Sequence, residues 1–323
     1  EYYINDAGSQ IKNLTNSVFI RYQELIGKKF SEYPDDFYPG DYLVPVAQHF
    51  ASTYNSKLLE MNDEERFLLI KPFTINFMMN LIKEDLAAIS THQDIFISEQ
   101  DLVSNGKIDE AIKALKKSNL IYEGVLEPPK GKKPDDWEPR PQMLFKSTKY
   151  GDEVDRPLQK SNKEWTYFAN DIAYHFDKYQ RGSNHLVDIL GADHGGYVKR
   201  MTAAVAALSD NKASFTAKLC QMVKLTRNGK QIKMSKRSGE FITLREVIDE
   251  VGSDSIRFMM LYRKNEAPLE FDFTKVTEQS KDNPVFYVQY AHARISSVIS
   301  KLNENNFSHM PSNFENIDFT LID

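Results

Sequence analysis

The chain alternates short apolar runs with stretches of helical period. Tyr2-Tyr3-Ile4 reads as a strand, Asn5 and Asp6 stand where a helix cap belongs, and Ile11, Leu14, Val18, Tyr22 and Leu25 follow at helical spacing up to Gly27. An acidic, proline-containing stretch from Ser31 to Gly40 then leads into mostly helical material, including 75–88 and 105–117, where Ile108, Ile112 and Leu115 share a face. Residues 127–141 hold five prolines in fifteen positions, which excludes a helix or a central strand there and predicts an exposed loop. Extended patterns return at Met143. A helix is predicted over 167–179, a strand over 186–190 and a helix over 197–208, an alternation that predicts a parallel sheet in an α/β fold.

Leu219, Val223 and Leu225 then predict one face of a half-buried strand, and Asn228-Gly229 is a strong hairpin-turn signal. Thr243 and Glu246 have capping-box spacing ahead of Leu244, Val247, Ile248 and Val251; Gly252 can end that helix, and a shorter one is predicted over 256–262. Beyond Asn283-Pro284, the positions Val288, Ala291, Ile295, Val298 and Leu302 mark an amphipathic helix that should pack on further helices. The expected organisation is a sheet-bearing domain in two parts, 1–34 and 141–226, interrupted by a mostly helical insertion over 35–140. A loop with connecting helices follows over 227–283, and 284–323 begins a helical bundle.

Composition adds limits. A chain of 323 residues with 41% hydrophobic and 12% aromatic content can bury a substantial core, and two or three domains are expected. The formal net charge of −5 announces no global nucleic-acid field, so any RNA contact must be local. The single cysteine, Cys220, allows no internal disulfide and reads as core, consistent with a reducing cytoplasm. No apolar run approaches the roughly 18 residues of a membrane span. The histidines lack metal-ligand spacing, so no protein-held metal is expected.

Three constellations carry chemistry. Lys233-Met234-Ser235-Lys236-Arg237-Ser238-Gly239 places two lysines three apart in a hydroxyl-bearing loop beyond the hairpin. Compact mobile ammoniums suit a polyphosphate, although charge and spacing alone favour a plain solvated basic loop. Gly191-Ala192-Asp193-His194-Gly195-Gly196 follows an apolar strand, at the strand end where open α/β sheets bind ligands; by spacing alone a plain turn stays open. Tyr167 and Asp171 lie four apart on one helix face, and a carboxylate beside an aromatic ring suits a planar guanidinium. A surface carboxylate paired with Lys178 or Lys163 is the simpler alternative. Asn5 and Asp6 read first as caps of the first helix.

The blocks YYINDAGSQI, YPGDYL, YGDEVDRPLQKS, TYFANDIAYHFDKY, LGADHGGYVKRM and KMSKRSGEFITLREVIDEVGSDSIRF resemble, in order and over nearly the whole chain, bacterial arginyl-tRNA synthetases, which are class I aminoacyl-tRNA synthetases. The resemblance implies a Rossmann-like parallel-sheet nucleotide-binding domain with a mostly helical insertion, followed by the start of a helical anticodon-binding bundle. It implies arginine–tRNA ligase activity using ATP and Mg²⁺, with L-arginine and tRNA(Arg) as partners, in a cytoplasmic and monomeric enzyme. Lys233 and Lys236 are then the catalytic lysines. Gly191, Asp193, His194, Met234 and Ser235 contact ATP; Tyr167, Asp171, Asp193 and Asn5 hold arginine, with Asp6 and Gln10 bordering the pocket. RNA contact near Tyr287, Tyr290, His292 and Arg294 follows from the same resemblance. The family's HIGH-like tetrad does not occur in the sequence and is expected just before Glu1, so the chain reads as an interior portion of a longer polypeptide that is inactive on its own. Another class I synthetase, or a non-catalytic tRNA-binding remnant, are the alternative readings.

Overall fold

The computed structural model describes residues 1–126, 140–160, 162–232, 234 and 241–304. Strand β1 (Tyr2–Ile4) leads through Gly8 into α1 (Ser9–Leu25), followed by α2 (Val44–Tyr54) and α3 (Asp63–Ala88). These helices share one core, in which Val18 and Tyr22 of α1 meet Val46, Ala47 and Phe50 of α2 and Ile70 of α3. Helix α3 is longer than the apolar period suggested, because Asn62 and Glu65 form a capping box well upstream and the helix runs through Pro72. The carbonyl that proline leaves without its helical donor belongs to Leu68, an exposed residue, where water can serve it.

Strand β2 (Phe96–Ser98) comes next and pairs in parallel with β1, Tyr2 opposite Phe96. Helices α4 (Glu99–Ser104) and α5 (Lys107–Lys117) precede a three-stranded antiparallel sheet of β3 (Ile121–Gly124), β4 (Gln142–Phe145) and β5 (Arg156–Gln159). Then come α6 (Tyr167–Gln180), β6 (His185–Gly191), α7 (Tyr197–Ser209) and β7 (Ser214–Cys220), with β6 and β7 parallel over their whole length. The main core gathers Ile108, Ile112 and Leu115 from α5, Ile172 from α6, Met201 from α7 and Phe215 from β7. Each such side chain contributes about 2 kcal/mol of burial free energy.

The remaining elements are β8 (Val223–Arg227), β9 (Lys230–Gln231), α8 (Leu244–Val251), α9 (Ser253–Tyr262), β10 (Leu269–Asp272), α10 (Phe273–Thr277) and α11 (Pro284–Glu304). Strands β8 and β9 form the hairpin that Asn228-Gly229 signalled, both turn residues having positive φ, and β10 adds in parallel to β8. The capping box of Thr243 and Glu246 is also formed. Helix α11 touches α9 and α10 while Tyr287, Tyr290, Ile295 and Val298 stay exposed. The described residues thus form a mixed α/β molecule with small parallel and antiparallel sheets.

Helix α1 joins α2 and α3 in one core, β2 pairs with β1, and α5 packs into the α6–α7 core. Three local expectations change. The strand expected through 219–225 is two strands. Leu219 pairs with Leu190 in one sheet and Val223 with Leu269 in another, and the break is fixed by Gln221 donating its amide to the Asn265 carbonyl while the Asn265 side chain donates to that of Leu219. Cys220 therefore ends β7 half-buried rather than in a core. Finally, neither Asn5 nor Asp6 caps α1, whose N-cap is Gly8.

Candidate active site

Thr166 sets the start of α6. Its hydroxyl donates to the Pro157 carbonyl of β5 at 2.9 Å and also accepts from the Ala169 amide, tying the helix to the sheet and aiming its first turns across the end of β6. Tyr167 and Asp171, one turn apart, then face a cleft of about 630 Å³ that His194, Tyr197, Lys178 and Arg200 also line. The tyrosine ring is 79% exposed at the mouth, whereas Asp171 is half-buried. Burial pushes the Asp171 carboxyl up to about 6, against the support of the His175 charge and of a hydrogen bond from the Tyr197 hydroxyl; the nearby carboxylates Glu99 and Asp188 push the same way as burial. A carboxylate strained in this way is relieved by a cationic ligand.

The glycine-rich turn leaves β6 at Gly191. A Cβ there would stand 2.6 Å from Asp193 Oδ1, so any side chain at this position would displace the exposed Asp193 carboxylate from its place against the backbone. The Asp193 side chain is 84% and that of His194 56% exposed, with 3.9 Å between His194 Nε2 and Asp193 Oδ1. His194 lines the same cleft as Asp171, so the guanidinium-suited carboxylate and the strand-end turn are brought together.

Not every expected residue joins them. Asn5 is exposed and does not line the cleft, and Gln10 is exposed on α1. Asp6 is buried and occupied, accepting from the Ser98 hydroxyl at 2.6 Å and from the Gln100 amide at 2.9 Å. Met234 is half-exposed beyond the hairpin, outside the cleft. Lys233, Ser235 and Lys236 lie outside the described residues.

Several cleft residues escaped the sequence reading. Asp188 sits on the inward face of β6 with Leu186 and Leu190, and its carboxylate meets His175 Nε2 at 2.9 Å and Lys178 Nζ at 3.1 Å. The hydrogen bonds and charges of that pair hold the Asp188 carboxyl below its ordinary range despite burial. A lone acid inside an apolar strand was the available signal. Asn170 donates to the buried Glu99 at 2.9 Å, which sets a further carboxylate behind Asp171. Tyr197 and Arg200, one turn apart on α7, could have been found from the helical period that follows the glycine turn.

This arrangement has known counterparts. No family model matches the chain. The fold is that of arginyl-tRNA synthetases. A crystal structure named as an arginyl-tRNA synthetase of Campylobacter jejuni matches with a TM-score of 0.78 at 33% identity, over 94% of this chain and 62% of that one. The arginyl-tRNA synthetase of Thermus thermophilus matches in fold alone, with a TM-score of 0.62 at 16% identity over 93% of this chain and 57% of that one. An arginine–tRNA ligase of Rhizobium etli is 58% identical over 306 residues, 94% of this chain and 52% of its own length. That of Parvibaculum lavamentivorans is 53% identical over all 323 residues and 55% of its length. The chain belongs to the arginyl-tRNA synthetase family, and it spans about half the length of the curated relatives it matches.

Proposed function

We propose that this chain carries the arginine-activating centre of an arginine–tRNA ligase. The observation that supports it best is the strained carboxylate of Asp171 beside Tyr167 in the cleft that His194 also lines. In this reading the arginine guanidinium pairs with Asp171 and stacks near Tyr167, and the other end of the substrate points toward the glycine turn. Asp193 and His194, exposed on that turn, take the nucleotide's hydroxyls and face. Asn5 and Met234 join the site only with a rearrangement, since both lie away from the cleft.

The substrate carboxylate attacks the α-phosphorus of ATP in line, giving arginyl-adenylate and pyrophosphate; a hydroxyl of the terminal adenosine of tRNA(Arg) then attacks the activated carbonyl and expels AMP, leaving arginine esterified to the tRNA. The protein positions these groups and meets developing negative charge rather than bonding covalently, and Lys233 and Lys236 supply the positive charge that neutralises it on the triphosphate. Among the described residues no group of three His, Cys, Asp or Glu could hold a metal ion, so Mg²⁺ would be carried on the triphosphate oxygens. The parallel pairs β1–β2 and β6–β7 belong to one Rossmann-like nucleotide-binding domain in this reading, and α11 opens the helical bundle that reads tRNA. The enzyme works as a cytoplasmic monomer.

Arginine-dependent ATP–pyrophosphate exchange in the full-length enzyme, run with tRNA present and each of the common amino acids in turn, tests the proposal. Exchange with arginine alone is expected. Equal exchange with a neutral or acidic amino acid would point to a different synthetase, and tRNA affinity without ATP affinity to a binding protein.

A further inference from the structure

His175 is the least accessible ionisable group near the cleft, 2% exposed, and the proposed chemistry does not use it. Its ring lies on α6 directly beneath the cleft, edge-on to Phe215 of β7 at 5.4 Å. Nδ1 is 2.7 Å from the backbone carbonyl of Asp171, and Nε2 is 2.9 Å from Asp188 Oδ2. A carbonyl oxygen and an ionised carboxylate can only accept. Both hydrogen bonds therefore form together only when each ring nitrogen carries a proton, which makes the ring a buried cation.

We propose that His175, held as an imidazolium between the Asp171 carbonyl and the Asp188 carboxylate, is the positioning residue that keeps Asp171 charged and aimed into the cleft. The inference rests on the arginine reading for its consequence but not for its geometry. Burying a charged ring is costly, and an apolar side chain of similar size would fill the space between α6 and β7 with less penalty. What the charge supplies is a fixed positive counterpart close to Asp171, whose side chain lines the cleft where a ligand would lie. The effect matches the direction in which His175 acts on the Asp171 carboxyl, lowering it against burial.

Other groups set the balance. Asp171 is faced by Glu99 on α4, Asp188 on β6, Tyr197 and Arg200 on α7 and Tyr3 on β1. His175 is faced by Asp188, with Tyr174 and Lys178 on its own helix; Lys178 takes the second oxygen of Asp188 and lies over the Tyr174 ring at 4.1 Å. Lys178 thus shares Asp188 with His175, and the two cationic partners offset part of the repulsion that Asp188 exerts at Asp171.

The test follows the carboxyl carbon of Asp171 by NMR as pH is varied, in the protein and in His175→Gln, beside arginine and ATP affinities. The variant is expected to move the Asp171 midpoint up by about one pH unit, the scale of one removed opposite charge. Arginine affinity near pH 6 should then fall by roughly fivefold, with ATP affinity unchanged. A folded variant whose Asp171 midpoint stays put overturns the inference. Should the variant not fold, nitrogen-15 spectra of the unmutated ring decide. Two protonated nitrogens near neutral pH support the buried cation, and one bare nitrogen overturns it. A moved midpoint in a protein that binds no arginine would leave this inference standing and remove the arginine reading instead.

Discussion

The Ser98 hydroxyl donates to the Asp6 carboxylate at 2.6 Å and so ties the exit of β1 to the start of α4 across more than ninety residues of sequence. The second Asp6 oxygen takes the Gln100 amide in the first turn of α4, where Ser98 is itself the N-cap. Both parallel strands β1 and β2 end at this junction, beneath the segment that carries Glu99 toward Asp171. Replacing Asp6 by alanine leaves the half-buried Ser98 hydroxyl and the amide of Gln100 without their acceptor, and should cost about 1–2 kcal/mol of stability. Denaturant unfolding of the variant checks this, and a loss below about 0.5 kcal/mol would show the junction to be dispensable.

The same residue shows how far the sequence could be read. An acid two positions after a strand and before a helical period fits a local cap, and local spacing carries no information that its partners are Ser98 and Gln100. What was legible was local chemistry with a fixed geometry, as in the Asn228-Gly229 hairpin, the Thr243 capping box and the one-turn spacing of Tyr167 and Asp171. What was not legible depended on pairing over distance. The parallel return of β2 to β1, the break between β7 and β8 fixed by Asn265, and the burial of His175 against Asp188 all require partners far apart in the chain. The site followed the same division, since the distant groups that act on Asp171, namely Asp188, Glu99 and Tyr197, come from β6, α4 and α7.

A second buried ion pair lies beside the cleft wall. Arg156 meets Asp152 through two bonds of 2.7 Å each, and the acid also accepts from the Ser147 hydroxyl at 3.0 Å and the Glu153 amide at 2.8 Å. Burial raises the Asp152 carboxyl, but these hydrogen bonds together outweigh it and hold the group below its ordinary value of 3.8. The folded protein therefore binds this proton less tightly than the unfolded chain does. The resulting stability is present above pH 3.8 and is lost as pH falls through the lower folded value. Asp152→Asn, which strands the half-buried Arg156 charge, should cost about 3 kcal/mol near neutral pH. Thermal unfolding at neutral and strongly acidic pH tests both parts, and the two proteins are expected to converge in acid.

On the arginine reading, Asp171→Asn keeps the shape of the cleft floor but removes the charge that faces the guanidinium. Losing one partner of a half-buried charge pair costs about 2–5 kcal/mol of binding. The variant itself should be at least as stable as the parent, because an ionised carboxyl that burial has pushed up to about 6 opposes folding at neutral pH. Calorimetry with arginine, paired with a melting curve, separates the two effects. Weaker binding in a protein of lower stability would instead indicate a structural role for the carboxylate.

Replacing Lys236 by alanine should lower the rate of adenylate formation by roughly 10²-fold, the scale of one lost charge donor at a reacting centre. Arginine affinity should be unaffected, because the proposed role of this lysine is confined to the triphosphate. Single-turnover formation of arginyl-adenylate, measured with saturating ATP, is the appropriate readout, and an unaltered rate would remove Lys236 from the centre.

The raised Asp171 carboxyl also fixes how arginine binding depends on pH. With a midpoint of about 6 in the free protein, the carboxyl is ionised at neutral pH, and affinity should be flat there. As pH falls below 6 a growing fraction of the protein must lose a proton before it can pair with the guanidinium, so affinity should decline toward about tenfold per pH unit. Binding near pH 6 should therefore release part of a proton, detectable as a heat that scales with the ionisation enthalpy of the buffer. The linkage to folding runs the other way. Between 3.8 and 6 the folded protein holds this proton more tightly than the unfolded chain, so at this group lowering pH favours folding while it disfavours arginine. Acidification to about pH 5 is thus expected to weaken the ligand without an equal loss of fold from this residue, and a pH-independent arginine affinity between about 5 and 8 would mean that Asp171 does not meet the guanidinium.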